Sequence, residues 1–429
     1  MEHDHITPAE KALLFALEED LKGLKGFNGL KDSNGLKGLN GLKDSNGIKG
    51  LNGLKDSNGI KGLNGLKDSN GIKGIKGLNG LKVLVAGNRS GQLPYALAQA
   101  GADVTAHLFD CYHVQAMRTR LHEAGFDADA IIRCTAQIPE GPYDRAYFMT
   151  TPLSMTGELV LDQLEDIRAN LALGGQLFAA FEGDADEALK TMKKVFARVH
   201  VMAVAQNRKR RRSGKRTETV ALFRAVKSER DVAAQRRNFA ADWTASVPGG
   251  QTHTFVSLPG CFCHRRADLG GLALAETACT AVNGLKSIKI LDMGCGCGFV
   301  GLLVADHLRA HGVTPELTLL DSHARALAAA RVNSRRLNFT DAQFILSCDG
   351  LPPDAPADYE LFLGNPPYYG DWKIAETFVK TAFCALRRGG RCLTVAKSEG
   401  GLQELQTKIF GKTEVIRRRG YFVFSSIRP

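Results

Sequence analysis

From Leu81 onward the chain alternates short apolar runs with amphipathic stretches. LKVLVAGN (81–88), VTAHLFD (104–110), AIIRCT (130–135), RAYFMTT (145–151) and GQLFAAFE (175–182) are rich in β-branched and aromatic residues and too short for helices, so they predict strands. Helical periodicity occupies 92–99, 114–124, 156–172 and 185–197, and VHVMAVA (199–205) and VALFRAV (220–226) close the set as strands. The same order then recurs. KILDMG (289–294), ELTLLD (316–321), QFILSC (343–348), YELFLGN (359–365) and RCLTVAK (391–397) predict strands with helices between them. TEVIRR (413–418) and YFVFSSI (421–427) predict a final antiparallel pair. Near-continuous apolar strands alternating with helices are what a parallel sheet covered on both faces requires. The pattern predicts an α/β chain of two tandem Rossmann-like units. Each is a mostly parallel sheet with helices on both faces and an antiparallel last strand.

The first eighty residues break this rhythm. Thr7-Pro8-Ala9-Glu10 is a capping-box start to an amphipathic helix that runs to about Leu21. Residues 28–75 are four near-copies of a twelve-residue unit, each made of two hexads beginning Asn-Gly. The frequent glycines remove helix propensity, and one apolar side chain per hexad is too little to drive burial. The segment therefore predicts a flexible insertion. A hexapeptide solenoid is the competing architecture, but it needs end caps and more coils than eight hexads supply. The expected organisation is an N-terminal helix (1–22), the repeat insertion (23–80), a first unit (81–237) and a second unit (238–429), with 227–256 as a polar connector.

Chemistry concentrates in the second copy. Leu291-Asp292-Met293-Gly294-Cys295-Gly296-Cys297-Gly298 joins its first strand to its first helix. Glycines at 294, 296 and 298 let the backbone pass close to a ligand and aim amide donors at it. Asp321 ends the next strand, where a carboxylate can accept both hydroxyls of a ribose. Asp349, just past the third strand, is placed for an adenine amino group. Three acids or turns at successive strand ends point to a nucleoside site on the carboxyl edge of the sheet.

Asn365-Pro366-Pro367-Tyr368 ends the fourth strand. Two prolines remove amide donors and leave carbonyl oxygens to accept. Asn365 adds a side-chain carbonyl, and Tyr368 offers a ring for stacking. The set suits a planar group bearing an amine.

With these motifs the chain resembles the class I, AdoMet-dependent methyltransferases that modify planar amines. PGCFCHRRADLGG (259–271) and the ending GYFVFSSIR extend the likeness to the bacterial ribosomal RNA guanine-N2 methyltransferases of the small-subunit methyltransferase C and large-subunit methyltransferase G type. The resemblance implies S-adenosyl-L-methionine (AdoMet) as cofactor, cradled by Asp292, Gly294, Gly296 and Gly298. Asp321 would bind its ribose, Asp349 its adenine, and Asp268 would contribute to the same cofactor site. Asn365, Pro366, Pro367 and Tyr368 would hold a guanine of ribosomal RNA, flipped out or taken from a loop because a base inside a helix cannot present its amine. Phe262, Asp268 and Gly270 keep the family pattern, whereas His264, Arg265 and Arg266 depart from it.

The first copy lacks this equipment. Its counterpart of the Asn365 turn is Thr151-Pro152-Leu153-Ser154, and its glycine turn reads Ala86-Gly87-Asn88-Arg89-Ser90-Gly91, although Asp110 keeps the second strand's acid. This predicts a non-catalytic methyltransferase-like unit. Between its last two strands stand Arg208, Lys209, Arg210, Arg211, Arg212, Lys215 and Arg216, seven basic residues in nine. With 56 Lys and Arg against 45 Asp and Glu, a net +11, the run is expected to grip RNA phosphates without reading sequence. Arg417-Arg418-Arg419 occupies the matching position in the second copy.

Ten cysteines without a disulfide-framework spacing, a polar start and no apolar run of about 18 residues predict a thiol-reduced, cytoplasmic chain outside the membrane. Cys261, Cys263, Cys295 and Cys297 are too closely spaced in pairs for a structural zinc, so no metal is expected. The expected partner is ribosomal RNA or a ribosomal subunit, met by a monomer. Glutamine-N5 methylation of a translation release factor, adenine-N6 methylation of DNA, and non-catalytic ribosome binding are the alternatives the motifs leave open.

Overall fold

The structure is a computed structural model that describes residues 6–23, 78–87, 90–150, 157–211, 214–281, 285–367 and 372–429. The hexad repeat, Asn88, Arg89, Thr151–Ser154, Arg212 and Tyr368 lie outside the described residues. The chain divides into two compact units, Met1–Leu108 with His113–Arg133 and Ile138–Arg237, and Phe109–Tyr112 with Cys134–Gln137 and Asn238–Pro429.

The first unit is a seven-stranded sheet. In chain order it contains α1 (Pro8–Gly23), β1 (Lys82–Ala86), α2 (Gln92–Gln99), β2 (Asp103–Leu108), α3 (Val114–Glu123), β3 (Ile132–Cys134), β4 (Tyr143–Thr150), α4 (Gly157–Asn170), β5 (Leu171–Glu182), α5 (Ala185–Lys193), β6 (Val199–Arg211) and β7 (Gly214–Val226). The strand order is β3-β2-β1-β4-β5-β7-β6, with β1, β2, β4 and β5 parallel and β7 and β6 antiparallel to their neighbours. Period-two geometry explains the unbroken apolar strands. In β1, Val83 and Val85 enter the core on one face, and Leu84 and Ala86 enter the core on the other.

The second unit repeats the plan with a two-stranded hairpin ahead of it. Its elements are β8 (Ala241–Ala245), β9 (His253–Ser257), α6 (Leu269–Ala281), β10 (Ser287–Met293), α7 (Phe299–Ala310), β11 (Thr314–Asp321), α8 (Ala324–Arg336), β12 (Gln343–Leu346), β13 (Tyr359–Gly364), α9 (Trp372–Ala385), β14 (Leu386–Ala396), α10 (Gly401–Phe410), β15 (Glu414–Arg418) and β16 (Tyr421–Ile427). The order β12-β11-β10-β13-β14-β16-β15 is that of the first sheet, strand for strand. Again the faces alternate: Ile290 and Leu361 fill one core, Leu291 and Phe362 the other. Tandem class I methyltransferase folds result.

Two segments differ from the sequence expectation. Residues 241–257 are not connector but a hairpin, whose Trp243 stacks on Phe255 at 5.3 Å and meets Phe299 edge-on at 5.4 Å. Its signal was present in the alternating ADWTA and HTFVS around Pro248-Gly249-Gly250. The N-terminal helix is also no separate segment. Ala9, Leu13, Leu14 and Leu17 of α1 share the first unit's core with Val83 and Leu97. α1 packs on β5, β7 and α2 as α6 packs on β14, β16 and α7. The repeat thus enters the chain between the first helix of a copy and its first strand. Among the described residues, no helix is long and apolar enough to cross a membrane, and no group of three or more His, Cys, Asp or Glu is placed to hold a metal ion.

Candidate active site at the carboxyl edge of the second sheet

Strand register gathers the candidate residues. Met293 is paired with Leu320 on one side and Gly364 on the other, and Asp321 is paired with Leu346. Gly294, Asp321 and Asn365 therefore leave the sheet side by side, where β10 neighbours β11 on one flank and β13 on the other. This is the point where strand order reverses, and open α/β sheets bind ligands there.

All three glycines of the 294–298 turn have positive φ, +66° at Gly294, +58° at Gly296 and +82° at Gly298. Their surroundings separate them. A methyl group at Gly294 would lie 2.7 Å from Phe378, and one at Gly298 would lie 3.1 Å from Ala330. At Gly296 it would meet nothing within 4 Å. The outer glycines are required by internal packing, and the middle one borders open space.

Asp321 closes the turn from the next strand. Its Oδ2 accepts from the Gly296 amide at 2.8 Å and its Oδ1 from the His323 amide at 2.8 Å. Burial pushes its carboxyl up to about 6, against these amides, which favour the ionised form. Each oxygen keeps acceptor capacity for a hydroxyl. Asp292 is placed differently. It is 3% exposed, its Oδ2 accepts from the Gly301 amide at 2.9 Å, and burial pushes its carboxyl up to about 7. It fastens the first turn of α7 from beneath. Asp349 is exposed, in the turn after β12, where its amide donates to Ser347 Oγ at 3.2 Å.

Asn365 directly follows β13 and is half-buried, with Pro366 buried and Pro367 exposed. Its Nδ2 donates to Asp268 Oδ2 at 2.8 Å. Asp268 precedes α6, and the same oxygen caps that helix by accepting from the Gly271 amide at 2.7 Å. Two motifs 97 positions apart thus meet through one hydrogen bond.

Several supporting residues carried no sequence signal. Asn333 of α8 is fully buried, and its Oδ1 accepts from the Val256 amide at 2.7 Å. Its Nδ2 donates to the carbonyls of Val256 at 2.9 Å and Cys297 at 2.8 Å, tying the hairpin to the glycine turn. Cys261 and Cys297 are buried thiols pushed up to about 12 by that burial, so they stay protonated. The three arginines at 417–419 are not a free cationic loop. Glu276, 5% exposed on α6, receives Arg419 at 2.7 Å and Arg418 at 3.4 Å, and Arg417 pairs with Glu399 at 2.9 Å. A buried carboxylate needs compensating charge, and these side chains supply it.

The corresponding edge of the first unit differs in its residues. Gly87 and Gly91 keep positive φ, +79° and +76°, as Gly294 and Gly298 do. The position matching Gly296 is Arg89 in the sequence. Three residues after its cap, α6 carries Gly271, where a methyl group would lie 2.5 Å from Phe299. Three residues after Thr7, α1 carries Glu10 instead, and it is 1% exposed. Its carboxylate accepts from Ser90 Oγ at 2.6 and 2.7 Å and from the Leu93 amide at 3.2 Å. An internal anion already satisfies the N-terminal turn of α2.

The basic run is not a loop beyond short strands. β6 and β7 continue to Arg211 and Gly214, with Lys209 paired to Arg216 and Arg210 to Lys215 along the backbone ladder. The ladder runs through two thirteen-residue strands, with Arg208–Arg211 and Lys215–Arg216 at the end farthest from Val199 and Val226.

Comparison with known proteins agrees with this geometry. Residues 252–425 match the methyltransferase small domain family. Ribosomal RNA small subunit methyltransferase C of Pseudomonas entomophila is 33% identical over 178 residues, 40% of this chain and 50% of the relative. The protein of that name from Haemophilus influenzae is 26% identical over 189 residues, 43% of this chain and 54% of the relative. The chain thus spans about half the length of the curated relatives it matches. Among solved structures, a T. thermophilus 16S rRNA N2 methyltransferase in complex with AdoMet and guanosine superposes with a TM-score of 0.63 at 20% identity. That match covers 82% of this chain and 88% of the other, so the likeness of fold takes in most of the chain. Residues 252–425 are thus similar to the methyltransferase small domain family, and the chain carries a class I methyltransferase fold.

Proposed function

We propose that the second unit transfers a methyl group from AdoMet to the exocyclic N2 amine of a guanine in ribosomal RNA. The observation that carries this reading is the meeting, on one sheet edge, of the open Gly296, the Asp321 carboxylate and the Asn365-Pro366 turn. The curated relatives are named ribosomal RNA small subunit methyltransferase C, and the T. thermophilus enzyme was solved with AdoMet and guanosine. Both support the same chemistry here.

The residues present fit AdoMet. Gly296 leaves room for close approach, and Asp321 offers two oxygens to a ribose diol. Asp349, exposed past β12, takes the adenine amine, while Asp292 holds the turn's shape from below. When bound, AdoMet supplies a methyl group already activated on a sulfonium. What remains for the chain is alignment and charge stabilisation. The guanine amine is a poor nucleophile because its lone pair is delocalised into the ring. Asn365 Oδ1 and the Pro366 carbonyl accept hydrogen bonds from its N–H groups, which raises electron density on nitrogen and stabilises the positive charge that develops as the N–C bond to the methyl forms and the S–C bond breaks; the surplus N–H proton then passes to water. The aromatic step assigned to Tyr368 falls outside the described residues.

The first unit acts as a non-catalytic partner, since the N-terminal turn of its α2 is already bonded to Glu10 and its counterpart of Gly296 is Arg89. The Arg208–Arg216 hairpin serves as phosphate grip. Reversing charge at Lys209, Arg210, Lys215 and Arg216 should weaken RNA binding and reduce the slope of log affinity against log salt by roughly three to four, given about 0.7–0.9 per phosphate contact. AdoMet affinity, measured by calorimetry, should not move. An unchanged salt slope would return the run to a solvated hairpin.

The direct test is transfer of labelled methyl from AdoMet to ribosomal RNA, followed by mapping of the modified nucleotide. N2-methylguanine in the product supports the reading. Label appearing on a release-factor glutamine or on DNA adenine, with RNA unlabelled, replaces it with the corresponding alternative.

A further inference from the structure

We propose that Asp268 is a positioning residue that sets the orientation of the Asn365 amide, so that its carbonyl rather than its NH2 meets the substrate amine. The assignment rests on reading the Asn365 turn as the amine-binding site. It changes the role expected for Asp268 from the resemblance, which was cofactor contact.

A primary amide is nearly symmetric in shape. Its two orientations differ by a half-turn, yet one presents an acceptor and the other a donor. Toward an amine donor only the first is productive, because the second places N–H against N–H. The backbone at Asn365 does not choose between them. A carboxylate does, because an ionised Asp accepts and cannot donate. Asp268 Oδ2 receives Asn365 Nδ2 at 2.8 Å, which turns Oδ1 away from Asp268.

Asp268 is itself held. The same oxygen takes the Gly271 amide at 2.7 Å, so the N-terminus of α6 fixes where the carboxylate sits. Cys263 Sγ lies 3.9 Å from the other oxygen. Gly270 leaves room for this arrangement, since a methyl group there would come within 3.1 Å of Asp268 Oδ2 and 3.0 Å of the Tyr421 ring. Helix cap and substrate acceptor share one carboxylate. A segment that is local in sequence thereby dictates which end of a distant amide is presented.

Asp268→Ser isolates the function, because serine still caps α6 but is too short to reach Asn365. Single-turnover methyl transfer to ribosomal RNA should fall by ~10–10², the scale of losing alignment at one group. AdoMet affinity should stay within about threefold of wild type. Asp268→Asn, which can still accept from the Asn365 amide, should recover part of the rate. In an Asn365→Ala background Asp268→Ser should cost nothing further. The second readout needs no turnover: the Asn365 side-chain NH2 signals, identified by their loss in Asn365→Ala, should exchange slowly with solvent in the wild type and fast in Asp268→Ser. Equal loss of AdoMet affinity and rate in Asp268→Ser would make Asp268 a cofactor ligand and overturn the proposal. So would additive loss in the double variant, or NH2 exchange that does not change. If Asn365→Ala alone transfers at the wild-type rate, the amine-binding reading fails and the assignment with it. Loss in Asn365→Ala beside an unaffected Asp268→Ser overturns the assignment alone.

Discussion

Asn365→Ala is expected to slow methyl transfer by ~10²–10³, about 3–4 kcal/mol of transition-state stabilisation, while AdoMet affinity barely changes. The asymmetry follows from where charge develops. In the ground state the guanine amine is neutral, and an acceptor beside it competes with water for an ordinary hydrogen bond. As nitrogen gains positive charge the same acceptor is worth more, so its loss appears in the rate. The cofactor side of the site is untouched, because Asp321 is held by the Gly296 and His323 amides and not by Asn365. Asn365→Asp should also be slow, for a different reason. It would bring a second carboxylate against Asp268, which now accepts from the Asn365 amide at 2.8 Å. Two ionised carboxylates at that distance repel, and one must protonate or move. Pre-steady-state transfer of labelled methyl, with calorimetric AdoMet titration as control, measures both variants. Near-wild-type chemistry in Asn365→Ala would leave the proline turn as scaffold only.

Gly296→Arg should abolish AdoMet binding by at least ~10² in affinity, about 2.7 kcal/mol, with a much smaller loss of thermal stability. The substitution copies into the second unit the residue that the first carries at the matching place, Arg89. Its predicted selectivity comes from the surroundings of the three glycines. Side chains at Gly294 or Gly298 would strike Phe378 or Ala330, so variants there would damage the core before any ligand is considered. At Gly296 the added atoms meet no protein within 4 Å at Cβ, and the cost to the fold is the roughly 1 kcal/mol of a non-glycine residue at φ +58°. What they do obstruct is the close approach of a ligand to the backbone. Calorimetry and melting curves on the same sample separate the two effects. AdoMet affinity that survives Gly296→Arg would place the cofactor elsewhere.

The hydrophobic pattern made most of this fold legible, because strands covered on both faces must be apolar at every position. Val83 and Leu84 show why, one facing each core. The duplicated strand order followed from the repeated pattern, as did the glycine turn, the Asp321 strand end and the Asn365 turn, each of which combines unusual residue types at an element boundary. The hairpin 241–257 was legible in principle from its alternation but was obscured by its polar composition. The basic run also read as a loop, since seven cations give no apolar signal although the backbone continues in a ladder there.

Other features could not be read from a line of residues. Nothing local in Thr7-Pro8-Ala9-Glu10 indicates that Glu10 is buried and accepts from Ser90, 80 positions away. A glutamate that closes a capping box and one that bonds a distant helix have the same sequence signature, and only packing of α1 on β5, β7 and α2 distinguishes them. Likewise Arg417, Arg418 and Arg419 look like a phosphate grip until Glu276 and Glu399 are brought to them. By itself the sequence determined which residue types stand at the ends of which elements, because periodicity, glycine turns and prolines act over a few positions. The tertiary structure alone decided which charges are spent on internal partners and which amide end is held, because those outcomes depend on contacts such as Asp268 to Asn365 that closing the sheet brings together.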